Sequence, residues 1–228
     1  MGNFANFSIE DRLIYRDALI LGIDKPAGLP VHKGPGGGAH LGQFLDALKF
    51  GLPRKPELAH RLDKDTSGVL ILGRNPHSLR ELQKIFSQNK AEKIYWAVAR
   101  GMPPTESGTI DAKLYRHLFK PGQLGFRMIV DDRGQDAITE YKVLARKDDR
   151  TLLELKPQTG RTHQLRAHCA HIGCPIIGDR LYGVDSDRKS NRLFLHAKQI
   201  ALPLYKNKPP ISIQASLPTD WPELQQNI

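Results

Sequence analysis

The sequence predicts a fold that combines several β-strands with a few short helices. Three observations support this prediction. Apolar runs such as VLIL at 69–72 are typical of strands buried on both faces. The pattern of EKIYWAVA at 92–99 is typical of a strand with two different faces. Apolar residues at helical spacing occur in three segments, at 41–50, 76–86 and 164–172.

Length fits one or two domains, and the basic composition is of a kind that attracts polyanions. The chain has 228 residues, of which 39% are hydrophobic, so a sizeable core can form and we expect a single domain over 1–228. Lys and Arg number 34 against 24 Asp and Glu, which gives a net charge of +10. Nucleic acid is the first candidate partner, although many proteins are basic without binding it specifically.

The sequence also indicates a compartment. It contains no run of 18 apolar residues, and its N-terminus lacks the basic and apolar regions of a signal peptide. The two cysteines, Cys169 and Cys174, are only five residues apart, which does not favour a disulfide framework. We therefore expect a cytoplasmic protein that does not contact a membrane.

The first half of the chain alternates strands, loops and helices. A strand at 18–24 ends at the turn formed by Lys25-Pro26-Ala27-Gly28. The glycine-rich segment 31–40 lacks the ending of a phosphate-binding loop, so we interpret it as a flexible loop before a short amphipathic helix at 41–50. HRLDKDTSG at 60–68 leads into the strand at 69–73. Asn75-Pro76 then predicts a helix start, and the apolar face of that helix is formed by Leu79, Leu82, Ile85 and Phe86.

The second half contains more strands and one further helix. In the strand at 92–99, Ile94, Trp96 and Val98 share one side, so Tyr95 lies on the other side with Ala97 and Ala99. Strands are predicted at 138–146 and 151–157, and two more between 194 and 218. The helix that follows QTGR buries a stripe formed by Leu165, Cys169 and Ile172.

Residues 112–136 interleave cations with aromatic residues. Such a mixture can hold phosphates and stack bases, but it is equally compatible with a β-hairpin whose aromatic side chains face the core. A long hairpin could do both.

Several site types are disfavoured by spacing. DKDTSG resembles the start of a calcium loop, but the twelfth position is Arg74, where a glutamate is required. The His and Cys residues between 163 and 174 lack the spacing of a zinc site, so we expect no metal. Ser67 lacks the GxSxG motif of many serine hydrolases.

Asp63 is the strongest candidate for catalysis. An aspartate before a strand commonly serves as a turn former. However, Arg61 in the same loop or Arg166 in the distant helix could pair with it, keep it ionised and fix its direction, as a nucleophile or base requires.

Four segments together resemble the RluA family of RNA pseudouridine synthases. They cover roughly residues 20–183 and read KPAGLPVH, HRLDKDTSG, KIYWAVARG and LKPQTGRTHQLRAHCAHIGCPIIGDRLYG. The resemblance implies an α+β fold with a central mixed, largely antiparallel sheet, flanking helices and loops, and an active-site cleft across the middle.

The resemblance also implies roles for individual residues. Asp63 matches the catalytic aspartate, Tyr95 the tyrosine that stacks on the target base, and Arg166 the arginine that pairs with the aspartate. Arg61 matches the residue that replaces the flipped-out uridine, and Leu165 a hydrophobic residue beside the base. The same motifs supply the other expected RNA-binding residues, which are His60, Arg161, Thr162 and His163.

The implied reaction converts uridine in RNA to pseudouridine without a cofactor. The carboxylate can attack C1′ or remove a sugar proton, and the sequence does not choose between these routes. A ribonucleoside hydrolase and a non-catalytic RNA-binding or ribosome-assembly module are the alternatives.

Many members of the family carry an N-terminal S4 RNA-binding domain. KPAGLPVH begins here at residue 25, which leaves no room for one, so we expect the catalytic domain to choose the target, with 112–136 contributing. The expected partner is tRNA, ribosomal RNA or both, and we expect a monomer.

Overall fold

The computed structural model describes residues 4, 7–34, 37–119, 125–186 and 192–221. The described residues form an α+β fold with two α-helices and strands that pair mostly antiparallel. The strands are β1 (Leu13–Arg16), β2 (Ile20–Lys25), β3 (Glu57–Leu58), β4 (Ser67–Gly73), β5 (Glu92–Arg100), β6 (Ser107–Asp111), β7 (Leu114–Leu118), β8 (Phe126–Val130), β9 (Ile138–Lys147), β10 (Arg150–Pro157), β11 (Leu195–Leu202) and β12 (Ile211–Gln214). The helices are α1 (Pro76–Ser87) and α2 (Gln164–His171).

The chain divides into two compact units. Unit 1 contains Met1–Lys93 and His196–Pro218, and unit 2 contains Ile94–Leu195 and Thr219–Ile228. A single functional domain over 1–228 stays a prediction.

Unit 1 is built on a mixed sheet. Its strands follow the order β1-β2-β4-β11, with β12 beside β11 and β3 beside β4. β4 and β11 are parallel, whereas the other pairs in this unit are antiparallel. All seven residues of β4 are buried, as the apolar run VLIL predicts for a strand covered on both faces.

Gly68 permits the parallel pairing of β4 with β11. Its φ is +106°, and a Cβ atom would lie 2.3 Å from the carbonyl oxygen of Ala197, which is its partner in the sheet. Only glycine fits a position with both this conformation and this close approach. The glycine of HRLDKDTSG therefore fixes where the loop ends and the strand begins.

Helix α1 confirms the predicted start signal. Asn75 is the N-cap, its side chain accepts the N–H of Ser78 at 2.9 Å, and Pro76 occupies the first turn. Leu82 and Ile85 are buried in a cluster formed with β4 and β11, as the spacing predicted.

The predicted helix at 41–50 is instead a pair of 3₁₀ segments, Leu41–Gln43 and Leu45–Lys49. Leu41, Leu45 and Leu48 are buried, so the apolar face was predicted correctly but the helix type was not. A segment of this length is too short to sustain α-helix by propensity, and tertiary contacts hold it in the tighter form.

Unit 2 is built on an antiparallel sheet in the order β5-β10-β9-β6. Its core cluster contains residues of β5, β10 and α2, with Leu165 and Cys169 buried and Ile172 packed against them. This arrangement confirms the predicted stripe of α2.

β7 and β8 form an antiparallel hairpin within the segment 112–136. One part of it packs on α2, where Leu114, Met128, Ala137 and Ala167 form a small buried cluster. Arg116, His117 and Arg127 are exposed. Lys120 and the rest of 120–124 lie outside the described residues. The hairpin therefore combines a core face with exposed cations, so both interpretations of this segment remain open.

Three strands were not predicted from sequence. β1 is short and only partly buried, β3 has two residues, and β6 reads SGTID, which contains few of the residues that favour strands. In the described ranges, no helix has both the length and the apolar character needed to cross a membrane.

Candidate active site

The loop that precedes β4 presents Asp63 on a fixed backbone. Leu62 is 4% exposed and anchors the loop in unit 1, whereas Arg61 is exposed and Asp63 is half-buried. The N–H of Thr66 donates to the carbonyl oxygen of Asp63 at 3.2 Å and closes the turn formed by Lys64 and Asp65. The sequence thus alternates an exposed cation, a buried anchor and an accessible carboxylate.

Lys25 supports this loop from beneath. Its side chain is fully buried, and its Nζ donates to the carbonyl oxygens of Pro26 at 2.8 Å and of Leu29 and Lys64 at 3.0 Å. The N–H of Gly28 donates to the same Lys64 oxygen at 2.9 Å. The KPAG turn is therefore joined to the residue that follows Asp63.

Burial lowers the pKa of Lys25 to about 7, although the carboxylates of Asp65, Asp63 and Asp24 act in the opposite direction. From the sequence pattern, Lys25 was predicted only as the end of a strand. The sequence did contain a signal for the supporting role of Lys25: it directly precedes the turn Pro-Ala-Gly, where backbone carbonyl groups can accept from a lysine ammonium.

His60 is half-buried in unit 1. Its Nε2 accepts the N–H of Ile71 at 3.0 Å, and its ring stacks on Phe86 with centroids 4.3 Å apart. Burial, with a smaller contribution from the charge of Lys93, lowers the pKa of His60 to about 3, so the ring is neutral at physiological pH. These contacts make His60 a support for the Asp63 loop, and a direct contact with RNA stays a prediction.

Ser67 and His196 form a buried hydrogen bond of 2.9 Å between Oγ and Nδ1. Ser67 is 2% exposed and His196 is 0% exposed. A nucleophile must reach its substrate, so this burial argues further against a serine hydrolase.

In unit 2, Tyr95 and Leu165 belong to one cluster. Tyr95 lies on β5, is half-buried, and packs against the core cluster that contains Leu165, Ala97 and Ala99. The predicted division of β5 into two faces is thereby confirmed for Tyr95. An aromatic ring partly exposed at the edge of an apolar cluster can serve as a stacking platform.

Gln164 organises the loop GRTH before α2. Its Oε1 accepts from the Oγ1 of Thr159 at 2.7 Å and from the N–H of Arg161 at 3.0 Å, and its Nε2 donates to the carbonyl oxygen of Ile138 at 2.9 Å. Arg161 is exposed, and its Nε donates to the carbonyl oxygen of Asp136 at 2.9 Å. The half-buried Thr162 lies in the same turn. The role of Gln164 could not be predicted from the sequence, since it depends on contacts with β9.

His163 is held in an unusual conformation at the start of α2. Its φ is +52°, which is uncommon for a residue other than glycine. The ring is nearly parallel to that of Phe126, stacked at a centroid distance of 5.7 Å, and Nδ1 lies 3.1 Å from the hydroxyl of Tyr182. These contacts of the ring help to hold the backbone of His163 in this conformation, and strained backbone of this kind is common near functional sites.

Arg166 forms a two-point ion pair with Asp179. Nε donates to Oδ2 at 2.7 Å and Nη2 donates to Oδ1 at 2.8 Å, with the Asp179 side chain fully buried and that of Arg166 12% exposed. Burial alone would raise the pKa of the Asp179 carboxyl, but Arg166 and the N–H groups of Leu181 and Tyr182 lower it below its ordinary value. This partner of Arg166 was not predicted, and the pairing of Arg166 with Asp63 stays a prediction.

In the ranges that the structure describes, no group of three or more His, Cys, Asp or Glu side chains could hold a metal ion. Cys169 and Cys174 are both buried thiols.

Comparisons with known proteins agree on one family. Residues 20–171 match the family described as RNA pseudouridylate synthase. An uncharacterized RNA pseudouridine synthase of Zymomonas mobilis is 42% identical over 214 residues, which are 93% of this chain and 96% of that protein. The ribosomal large subunit pseudouridine synthase C of Buchnera aphidicola is 35% identical over 92% of this chain and 68% of its own length.

A solved structure of human RNA pseudouridylate synthase domain containing 4 superimposes with a TM-score of 0.77 at 27% identity, covering 92% of this chain and 90% of the human chain. The chain spans 58% and 60% of the length of two further relatives, so it corresponds to only part of some proteins in this group.

Proposed function

The chain belongs to the RluA-type RNA pseudouridine synthases, a family of isomerases, and from that premise we propose that it isomerises specific uridines in tRNA, ribosomal RNA or both, with Asp63 as the catalytic carboxylate. One observation carries the assignment of Asp63. Within the matched segment, this carboxylate is half-buried on a loop that Lys25 and Leu62 fix from the buried side. A pre-organised carboxylate is what either chemical route needs.

The reaction exchanges one bond to the sugar for another. The bond between N1 and C1′ breaks, the uracil turns while it is held, and a bond forms between C5 and C1′. The proton on C5 is released to solvent and N1 takes up a proton, so substrate and product are isomers. Asp63 either attacks C1′ or removes a sugar proton. Both routes require Asp63 to be ionised, and both are inactivated when its carboxylate becomes an amide.

The remaining predicted residues retain and orient the uridine. We assign Tyr95 as the platform that stacks on the base, with Leu165 beside it, because both belong to one apolar cluster of unit 2. We assign the guanidinium of Arg166 as the cation that pairs with the catalytic carboxylate. Arg61, exposed on the Asp63 loop, takes the place of the extracted nucleotide. Retention of the base by Tyr95 argues for isomerisation over a ribonucleoside hydrolase, which would release uracil.

The β7–β8 hairpin is our candidate for contacts with RNA outside the target base. The guanidinium of Arg116 lies 4.1 Å from the centre of the Phe126 ring, and that of Arg133 lies 4.6 Å from the centre of the Tyr115 ring. Cations held on aromatic rings can contact phosphates and bases together. We propose that this RNA-binding surface also includes the turn before α2, with Arg161, Thr162 and His163. This turn contacts the hairpin segment through His163 and Arg161.

The name of the Buchnera relative makes large-subunit ribosomal RNA one candidate substrate, and tRNA is the other. We also propose that the protein acts in the cytoplasm as a monomer, in keeping with its basic charge and buried thiols.

Release of tritium from RNA labelled at uridine C5 tests the proposal. Purified protein is incubated separately with unmodified tRNA and with unmodified ribosomal RNA, and a charcoal-filtered supernatant is counted. The proposal expects release from at least one pool. Tight binding to RNA with no release from either pool would favour the alternative, a non-catalytic RNA-binding or ribosome-assembly module.

A further inference from the structure

We propose that Asp179 is a positioning residue that fixes the guanidinium of Arg166 for the reaction. This inference rests on the proposed function, in which Arg166 serves the catalytic carboxylate. Asp179 lies in the segment GDRLYG, whose role the proposed chemistry leaves unassigned.

The ion pair has the geometry of an orienting contact. Both oxygens of Asp179 accept from Arg166, one from Nε at 2.7 Å and one from Nη2 at 2.8 Å. Two parallel hydrogen bonds hold the plane of a guanidinium, whereas one bond leaves it free to rotate. The side chain of Asp179 is fully buried, so it cannot itself contact RNA.

The carboxylate of Asp179 is in turn fixed by its own backbone. Oδ1 accepts the N–H groups of Leu181 at 2.9 Å and Tyr182 at 3.1 Å. The carbonyl oxygen of Asp179 accepts the N–H of Gly183 at 2.9 Å, and a Cβ on Gly183 would lie 2.4 Å from that oxygen. The turn 179–183 is therefore closed tightly around the acceptor, and only glycine permits its last residue.

Tyr182 forms a second wall and connects this turn to the hairpin. The guanidinium of Arg166 lies 5.2 Å from the centre of the Tyr182 ring. The Tyr182 hydroxyl accepts the N–H of Met128 in β8 at 2.8 Å and lies 3.1 Å from Nδ1 of His163. Arg166 is thus held in its plane by Asp179 and covered by a ring that is itself bonded to β8 and to the start of α2.

Asp179→Asn separates positioning from folding of the turn. The amide keeps an oxygen that can accept from Leu181 and Tyr182, but it loses the charge and places an NH₂ group against Nε of Arg166. Asp149→Asn is the matched control, because Asp149 pairs with Arg100 in the same unit but its side chain is 59% exposed. Asp179→Glu keeps the charge and displaces the oxygens by one methylene.

The test measures single-turnover rate and RNA affinity for these variants, and repeats Asp179→Asn in an Arg166→Met background. We expect Asp179→Asn to lower the rate on the order of 100-fold, as a misplaced catalytic group does. RNA affinity should change less than about twofold, because the residue is buried, and Asp149→Asn should match the wild type. In the Arg166→Met background, Asp179→Asn should have little further effect.

Equal losses from Asp179→Asn in both backgrounds would overturn the inference, because Asp179 would then act independently of Arg166. If thermal unfolding shows that Asp179→Asn does not fold, Asp179→Glu decides: a wild-type rate contradicts positioning, and a lowered rate with normal RNA affinity supports it. Failure of the proposed function is distinct, since Arg166→Met would then keep the wild-type rate or the wild type itself would release no tritium.

Discussion

Lys25→Met should remove a pH dependence of stability that the wild type has. Methionine has a similar size and fills the buried site without a charge. In the folded wild type, burial lowers the pKa of Lys25 from 10.5 to about 7. The unfolded chain therefore binds more protons than the folded chain between these values, and the free energy of unfolding rises with pH across this window.

The size of this effect follows from the same two values. At about 1.36 kcal/mol per pH unit, the gap between 10.5 and about 7 corresponds to about 5 kcal/mol in total. Between about pH 6 and about pH 8.5, a range in which the protein can be handled easily, the wild type should gain about 2 kcal/mol relative to the variant. Below pH 7 the penalty for burying the charge is fully present, and it decreases steadily as pH rises from about 7 to 10.5.

Urea unfolding monitored by far-ultraviolet circular dichroism, which reports on the secondary structure of both units, measures this difference at several pH values. Lys64→Met is the control, since its side chain is exposed on the adjacent loop. Lys25→Met should also turn over RNA more slowly, because the bond from Nζ to the carbonyl oxygen of Lys64 no longer supports the Asp63 loop. If the stability curves of wild type and Lys25→Met stay parallel from pH 6 to 8.5, the assigned environment of Lys25 is wrong.

Two further predictions concern unit 1. His60→Gln should reduce the loss of stability on acidification. The folded pKa of His60, about 3, lies below the ordinary 6.5, so the free energy of unfolding of the wild type falls as pH falls from 6.5 to about 3. Acid denaturation at the same pH for wild type and variant would contradict this prediction. Gly68→Ala should lower the free energy of unfolding by about 3 kcal/mol or more, because its Cβ would collide with Ala197. The control Gly51→Ala, with φ of +81° but open space around the Cβ, should lower it by about 1 kcal/mol. Equal melting temperatures for the two variants would show that the close approach to Ala197 does not matter.

Features that depend on neighbouring residues in the sequence could be predicted. The cap formed by Asn75 and Pro76, the buried strand β4 and the face of β5 that carries Tyr95 all follow from local patterns, and the structure confirms them. Period-two and helical spacing decide which side chains share a face, so they place a residue on a surface of an element without knowledge of the fold.

Features that depend on distant parts of the chain could not be predicted. Arg166 pairs with Asp179, and Lys25 donates to three backbone carbonyl groups. Both sets of contacts depend on how loops distant in sequence approach α2 and β2. The segment 41–50 shows the same limit, because its apolar spacing fits both an α-helix and the 3₁₀ turns that tertiary packing selects.

Tritium release from C5-labelled RNA, compared between Asp63→Asn and Asp65→Asn, decides whether Asp63 is the catalytic carboxylate. Both substitutions remove one carboxylate from the same loop and both carboxylates act on the pKa of Lys25, but Asp65 is exposed and has no proposed role in the reaction. We expect that Asp63→Asn binds RNA and unfolds like the wild type yet releases no tritium, whereas Asp65→Asn remains active. Release at the wild-type rate by Asp63→Asn would contradict the assignment of Asp63 as the catalytic carboxylate.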